Sequence, residues 1–424
     1  MVLSQEKYMS RKKKMMQKIT RDLNINYIKT NKFKTITLYF IYSNTYESKE
    51  DMALHLLARF IGRYSKKYPT KNEMVRIKDN LYGVGMKGIH TAYNGVSTVV
   101  VPISFINPRF VKDVAMSDYL NFFDECLNNT FFSEELLSEI KKEMKLSISH
   151  KLDNPSVYSR NRVNQIIAFK EPSFSIYDKD ISKYIDDIGL EDIKNAYHKM
   201  LKEYNLDIYA AGDFDNEFTD YVSRYKKENK EVLVKNKILD IGKMDEIVEN
   251  KNVSQSYLYS IYKMPYTREN INSVNAMLTI AVLGNSPTSL LFSQVREKQS
   301  LCYYINIETI LNDGIAIIRT AIDKDKKDEV LKQIDVQIDK LIKQDYDLNN
   351  IDVVRNNILD AYNGLDDNFI DYFLLDYTLH INGVTWSLEE YIEAIKKVNA
   401  DNLSECLKKF EHVFTYMLRG EKDA

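Results

Sequence analysis

The chain has 424 residues, of which 44% are hydrophobic and 28% are charged, and its formal net charge is −2. This length suggests two or three domains, the composition is that of a soluble globular protein, and the near-neutral charge argues against a general nucleic-acid binder. Three scattered cysteines, Cys126, Cys302 and Cys406, are too few for a disulfide framework or a zinc ribbon, and they fit a reducing cytoplasm.

The beginning of the chain is basic from Arg11 to Lys18 but has no apolar run after it, so we expect no signal peptide. We interpret it as a solvated helix or a frayed terminus, and the alternative is attachment to a membrane surface. Because no stretch approaches 18 uninterrupted apolar residues, we expect no membrane span.

The first elements follow in a clear order. Thr35–Ser43 is rich in Ile, Leu, Tyr and Phe and predicts a strand, and a helix should begin at about Lys49. The segment from Gly83 to Gly88 fits Gly-x-Gly-x-x-Gly, but it follows a predicted helix over 72–81 and precedes a strand-like stretch at Ile89–Tyr93. This order favours a helix C-cap and hairpin entry over a dinucleotide-binding loop.

Apolar residues spaced three and four apart predict four long amphipathic helices. They lie at 111–128, 133–152, 326–344 and 349–362. The acidic and basic run Asp323–Glu329 at the start of the third lacks the glycine of an EF-hand loop, so we interpret it as an exposed helix start.

The sequence repeats itself at a separation of about 210–220 residues. A strand at Tyr257–Met264, a turn and a helix at Ile271–Leu283 repeat the pattern of residues 35–61. The end of each half is also similar, with strands predicted at Asp207–Ala211 and Val413–Leu418.

We therefore predict an α+β fold made of two homologous domains, each with a mainly antiparallel sheet covered by helices on one face. The predicted boundaries are 1–225 for the first domain, 226–252 for a polar linker region and 253–424 for the second domain. A strand-like stretch, Glu231–Val234, lies inside the linker.

Residues 284–304 carry the clearest functional signal. Arg296 precedes Tyr303 by seven residues, and a helix should end and a strand begin between them. A guanidinium and a phenol held on two rigid elements could grip a peptide carbonyl and stabilise the oxyanion that forms during hydrolysis. The alternative is that Arg296 simply pairs with a surface carboxylate.

The string Gly-x-Ser-Pro-x-Ser-x-Leu-Phe-x-x-Val-Arg-Glu-Lys-x-x-Leu-x-Tyr resembles the C-terminal signature of the M16 (insulinase/pitrilysin, mitochondrial-processing-peptidase-like) zinc peptidases. The resemblance implies two like domains of the LuxS/mitochondrial-processing-peptidase type, which face each other across a cleft. It also implies that Arg296 and Tyr303 bind substrate backbone opposite the zinc. Ile89–Tyr93 would then be the edge strand that pairs with an extended substrate.

The zinc motif of that family, His-x-x-Glu-His on the first helix, is degenerate in this chain. Aligned on it, His55 keeps the first ligand, Ala58 replaces the general base and Arg59 replaces the second ligand. We interpret His55 as a packed or rim histidine, because a catalytic zinc needs about three protein ligands. We therefore expect no metal in this chain.

The other candidate ligands do not restore the site. The helix at 133–152, where a third ligand would lie, offers Glu134, Glu135, Glu139 and Glu143, which we interpret as a solvated face with Glu/Lys pairs. The other histidines never pair at i and i+4; they are His90, His150, His198, His380 and His412.

These patterns favour the non-zinc subunit of a heterodimeric M16-type metallopeptidase, inactive alone, whose partner carries His-x-x-Glu-His, zinc and the general base. Small bacterial operons of this kind often process ribosomal peptides, which makes such a peptide the expected substrate by family analogy. The alternative is a non-catalytic peptide-binding or scaffold protein with the M16 fold. A self-sufficient zinc peptidase would need ligands that the sequence does not offer.

Overall fold

The computed structural model describes residues 19–46, 48–93, 95–170 and 184–421, so the basic start from Arg11 to Lys18 lies outside the described residues. The described chain forms two β-sheets with helices packed against them. The strands of the first sheet are β1 Thr20–Asp22, β2 Ile25–Lys29, β3 Thr35–Thr45, β4 Gly85–Met86, β5 Ile89–Tyr93, β6 Val96–Ile106 and β7 Asn205–Gly212. The strands of the second are β8 Ile247–Lys251, β9 Ser256–Lys263, β10 Tyr304–Ile310, β11 Ile315–Ile322 and β12 Glu411–Gly420.

The two sheets share one topology. In the first, β3 lies antiparallel between β7 and β6, and β2 runs parallel to β7. In the second, β9 lies antiparallel between β12 and β11, and β8 runs parallel to β12. The edge strands β5 and β10 pair with β6 and β11, respectively. The mainly antiparallel α+β fold and the internal repeat are therefore confirmed, while the exact domain boundaries stay a prediction.

The helices of the first half are α1 Ser48–Phe60, α2 Lys71–Asn80, α3 Met116–Asn128, α4 Glu134–Asp153, α5 Pro155–Lys170, α6 Leu190–Glu203 and α7 Asn216–Ser223. Those of the second are α8 Ser273–Leu283, α9 Lys327–Lys343, α10 Asn349–Asn363, α11 Phe369–Ile381, α12 Leu388–Lys397 and α13 Ala400–Leu407. The four predicted amphipathic helices are present, but α3 begins at Met116 and not at 111. Asp118 explains this start, because its carboxylate accepts from the Ala115 backbone N–H at 2.8 Å and caps the helix there.

Strand alternation divides each sheet into two apolar faces. Leu38, Phe40 and Tyr42 of β3 are at most 1% exposed and pack against helices of the first half. Tyr39 and Ile41 point to the opposite face, which is also apolar. A sheet that is apolar on both sides needs a second cover.

That second cover comes from the other half of the chain. The apolar side of α11 repeats every four residues through Phe369, Phe373, Tyr377 and Ile381, and it packs on the outer face of the first sheet. Conversely, Val163 and Ile167 of α5 pack on the outer face of the second sheet. The prediction of one covered face per sheet is therefore incomplete, because the halves exchange α5 and α11.

Polar contacts reinforce this exchange. Arg162 on α5 forms a bidentate ion pair with Glu249 on β8, with its closest N···O distance at 2.6 Å. Asp376 on α11 accepts from the Arg21 guanidinium at 2.6 Å and from the Tyr209 hydroxyl at 2.7 Å. Each exchanged helix is thus held by apolar burial and by charged hydrogen bonds.

The predicted linker region has a different structure from the one its sequence suggested. Glu231–Val234 is not a strand; the Val234 side chain is buried among residues of α11, and its N–H donates to the Ile381 carbonyl at 2.8 Å. Instead Ile247–Lys251 forms β8 at the edge of the second sheet. The apolar residues of this region are explained by helix contact rather than by a ladder.

Asp207 on β7 gives the interface between the halves a dependence on pH. Its side chain is buried near His380 and Arg21, and burial raises its pKa from the ordinary value of 3.8 to about 6. Because the pKa of Asp207 is higher in the folded than in the unfolded state, its carboxyl contributes stability that is fully present below the unfolded pKa. That contribution is lost as the pH rises through about 6.

We expect Asp207→Asn to raise the free energy of unfolding at pH 8 by about 1–3 kcal/mol and to leave it almost unchanged at pH 4. Urea unfolding at both pH values measures the difference, with Asp220→Asn on α7 as an exposed control. A variant that is less stable than wild type at pH 8 would mean that His380 and Arg21 outweigh the cost of burying the charge.

Candidate functional site: the arginine–tyrosine segment and the position of the zinc motif

The segment before Arg296 is fixed against the second sheet. α8 ends at Leu283, and a Cβ on Gly284 would lie 2.6 Å from the Ile307 side chain, so only glycine fits this approach. The Asn285 amide donates to the Ile307 carbonyl at 2.6 Å, and its oxygen accepts from the Ile307 N–H at 2.7 Å. The loop that leads to the motif is therefore tied to β10.

Arg296 lies on a π-helix, Leu291–Lys298, whose residues Leu291 and Val295 are buried in the core. The guanidinium carbon lies 4.6 Å from the centre of the Phe292 ring, and a guanidinium nitrogen lies 3.7 Å from the Glu297 carboxylate. Its side chain is 38% exposed. Such a distant pair with a neighbouring surface carboxylate is weak, so the guanidinium remains available to a ligand.

Tyr303 lies beyond the π-helix, after a turn in which Ser300 has a φ of +50°. The Tyr303 N–H donates to the Ala321 carbonyl at 2.9 Å, which aligns the residue with the start of β10. Its side chain is half exposed, and its hydroxyl donates to the Asp323 carboxylate at 2.9 Å. This bond raises the pKa of the phenol, so the hydroxyl stays protonated, and its oxygen can still accept a hydrogen bond.

The predicted end of a helix lies between the two residues, at Lys298, but the strand begins at Tyr304, one residue after Tyr303. Arg296 and Tyr303 nevertheless contact different partners, Glu297 and Asp323. Their convergence on one substrate group therefore stays a prediction.

The degenerate zinc-motif residues lie on α1, next to the edge strand β5. Ala58 is buried, and Gly88, just before β5, lies so close that a Cβ there would be 2.4 Å from the Ala58 carbonyl oxygen. Arg59 is exposed, and no ion-pair partner for it occurs among the described residues. The positions of the base and of the second ligand thus hold a methyl group and a cation.

His55 takes part in a buried network that the sequence did not predict. Its Nδ1 lies 3.1 Å from Nδ1 of His90 on β5. The other nitrogen of His90 lies 2.8 Å from the Asp51 carboxylate, which also accepts from the Ser97 hydroxyl at 2.6 Å. Because a carboxylate only accepts, His90 donates from Nε2 to Asp51.

This network does not fit a catalytic zinc. Burial, His90 and the nearby Arg59 lower the pKa of His55 to about 4, so the ring is neutral at pH 7. Two imidazoles are fewer than the three protein ligands such a site needs. The Asp51 carboxylate does not add a ligand beside them, because it is hydrogen-bonded to the other nitrogen of the His90 ring. The described residues contain no group of three or more His, Cys, Asp or Glu arranged to hold a metal.

Two of the predicted carboxylates of α4, Glu139 and Glu143, are paired with an arginine and not with lysines as predicted. Arg63 donates to Glu139 at 2.7 Å and to Glu143 at 2.8 and 3.0 Å. The hydrogen bond from Arg63 lowers the pKa of Glu143. A guanidinium therefore binds the helix face from which a third metal ligand would come.

Comparisons with known proteins agree with this fold. The family model described as "Peptidase M16 inactive domain" matches residues 187–358, which include Arg296 and Tyr303. A protein of Bacillus subtilis (strain 168) named "Probable inactive metalloprotease YmfF" is 23% identical over 420 residues, which cover 95% of this chain and 97% of that protein.

Two crystal structures extend the likeness over both halves. A conserved protein from Enterococcus faecalis V583 superposes with a TM-score of 0.83 at 18% identity, covering 94% of this chain and 97% of that one. A peptidase M16 inactive domain from Pseudomonas fluorescens superposes with a TM-score of 0.76 at 15% identity, covering 96% and 98%.

Fold and motif together define an M16-like protein with two related domains. Residues 187–358 match the M16 family model, and the similarity to M16-like proteins extends over nearly the whole chain. Each helix among the described residues is too short or too polar to cross a lipid bilayer.

Proposed function

We propose that this chain is the non-zinc subunit of a heterodimeric M16-type metallopeptidase. The observation that carries the proposal is a contrast between the halves. Arg296 and Tyr303 are presented on rigid, half-exposed positions, whereas Ala58 and Arg59 replace the base and the second zinc ligand.

Arg296 and Tyr303, the two motif residues that this chain retains, are suited to stabilise the transition state of peptide-bond hydrolysis. The Arg296 guanidinium carries a permanent charge and can donate to a carbonyl oxygen that becomes negative. The Tyr303 oxygen, whose proton is held by Asp323, can accept from a substrate N–H, or the hydroxyl can turn to donate to the oxyanion.

The partner would supply what this chain lacks. A zinc-bound water needs about three protein ligands and a nearby base, and the His-x-x-Glu-His sequence of a second M16 subunit provides two ligands and that base. We extend the proposal to a ribosomal peptide as substrate and to the cytoplasm as the compartment, where the scattered free thiols are stable.

Reconstitution tests the proposal. The chain is co-expressed with an M16 protein of the same organism that carries His-x-x-Glu-His, and cleavage of a peptide mixture is followed by mass spectrometry. We expect a stable complex that cleaves peptides and loses activity with a zinc chelator, while neither subunit cleaves alone. Cleavage by the isolated chain, with one tightly held zinc, would instead make it a self-sufficient peptidase.

The alternative function is non-catalytic peptide binding or a scaffold role. The relative whose name calls it probably inactive favours this alternative, as does the engagement of the Tyr303 hydroxyl by Asp323. A complex that forms but cleaves no faster than the partner alone would support it.

A further inference from the structure

A cleft lies along α4, on the side of the helix that faces α1; all of its lining residues lie between Glu143 and Val157, so Arg59 of α1 is not part of the lining. Residues four apart on one helix lie on one face, so His55 and Arg59 of α1 face the α4 row of Glu143, Ser147 and Lys151. One contact fixes this register: Arg63, in the turn after α1, donates to Glu143 at 2.8 Å. The Arg59 cation, one helical turn earlier, also helps to lower the pKa of that carboxyl. At the other end, Lys151 lies near enough to His55 to act on its charge.

The α4 row forms one wall of a cleft of about 540 Å³. Its lining combines apolar and polar side chains, namely Glu143, Leu146, Ser147, His150, Lys151 and Val157 together with Asn154. Leu146 is 55% exposed and adds an apolar side chain to this lining. The cleft can therefore contact both the side chains and the charged end of a peptide.

Cations exceed anions along the facing sides of α1 and α4. Arg63 engages both Glu139 and Glu143, and His55 is neutral at pH 7. Arg59 and Lys151 then remain, and among the described residues neither has a carboxylate within ion-pair distance. Neither cation is therefore neutralised by a direct ion pair, and both can bind a carboxylate of a ligand.

The edge strand β5 gives an extended peptide a route to these cations. Among the described residues β5 pairs only with β6, so its outer edge offers free backbone groups. His90 holds β5 against α1, and Gly88 lies on the backbone of Ala58, the residue before Arg59. A peptide added to β5 would therefore pass beside the Arg59 guanidinium.

We propose that Arg59 and Lys151 bind a carboxylate of the peptide, at the place where a catalytic M16 subunit would hold its metal. This inference rests on the proposed peptide-binding function and adds the class of ligand: a peptide with a carboxylate, either at its C-terminus or on an acidic side chain. Arg59 then acts as an anchor for the substrate, and the hydrolytic chemistry takes place at the partner.

The test measures binding of three coumarin-labelled probes to the full chain by fluorescence anisotropy. Each probe is a ten-residue Thr-Val repeat with a blocked N-terminus: one ends in a free carboxylate, one in an amide, and one in an amide with a single internal Glu. We expect the wild type to bind one or both acidic probes about tenfold more tightly than the neutral amide.

Arg59→Gln and Lys151→Gln should each remove most of this preference and leave binding of the neutral amide unchanged. Lys142→Gln, an exposed lysine of α4 outside the cleft lining, is the matched control and should behave as wild type. Circular dichroism verifies that all variants are folded. The acidic probe that responds to Arg59→Gln identifies the source of the carboxylate.

Two results would overturn the inference, and they differ in meaning. Equal binding of acidic and neutral probes would reject the carboxylate site and leave the proposed peptide binding intact. No binding of any probe, by the chain alone or in complex with its partner, would reject both.

Discussion

We expect Arg296→Ala to lower the turnover of the reconstituted zinc complex by about 10²–10³-fold, because one lost donor to a developing oxyanion costs that much in other hydrolases. Its guanidinium is exposed and only weakly paired, so the change should not unfold the chain. Tyr303→Phe, which removes one hydroxyl, should lower turnover in the same direction. Steady-state cleavage of one defined peptide at saturating substrate measures both effects.

The matched control for these variants is Lys298→Ala, which removes an exposed cation from the same π-helix. It should leave turnover within about twofold of wild type, since a distant surface charge adds little to the barrier. Full activity in both Arg296→Ala and Tyr303→Phe would show that this segment does not act in catalysis. The non-catalytic alternative would then explain the chain better.

The second large effect concerns the exchanged helix α11. We expect Phe373→Ala to lower the free energy of unfolding by about 3–5 kcal/mol, the usual cost of removing a buried phenyl ring. Phe373 is fully buried, and its ring centre lies 5.1 Å from that of Tyr209 and 6.4 Å from that of Tyr39. Urea denaturation followed by circular dichroism measures the loss.

Leu374→Ala is the control, because this neighbouring side chain is 40% exposed. It should cost less than about 1 kcal/mol. If the two variants were equally stable, α11 would not be bound to the first sheet in solution. The helix exchange described above would then be wrong.

Much of the fold could be predicted because local patterns determine it. The apolar spacing of α4 and α9 predicted helices whose observed ends lie within about two residues of those expected. The β-branched and aromatic runs around Thr35 and Tyr257 likewise predicted the central strands β3 and β9. These signals depend on neighbours along the chain, which the sequence displays directly.

The helix exchange could not be predicted in the same way. Tyr39 and Ile41 alternate with Leu38 and Phe40, so the sequence indicates a strand that is apolar on both faces. It does not indicate which distant helix covers the second face. The same limitation explains Glu231–Val234, whose apolar residues meet α11 where a ladder was expected.

Only the part of the site that is continuous along the sequence could be predicted. The motif around Arg296 and Tyr303 is continuous in sequence, and the end of its helix was predicted correctly, while its strand begins one residue later than expected. The network of Asp51, His55 and His90 joins α1 to β5, so a rule limited to histidines at i and i+4 could not find it. A carboxylate one turn before His55, with a histidine on the edge strand nearby, was the available signal.

The exchange of α5 and α11 also affects how the protein is made. During synthesis, the outer face of the first sheet is complete at β7, but the helix that covers it follows about 160 residues later. At 5–20 residues per second, an apolar surface stays open for roughly 8–30 s on the ribosome. We therefore expect the nascent chain to depend on chaperones until its last third has emerged.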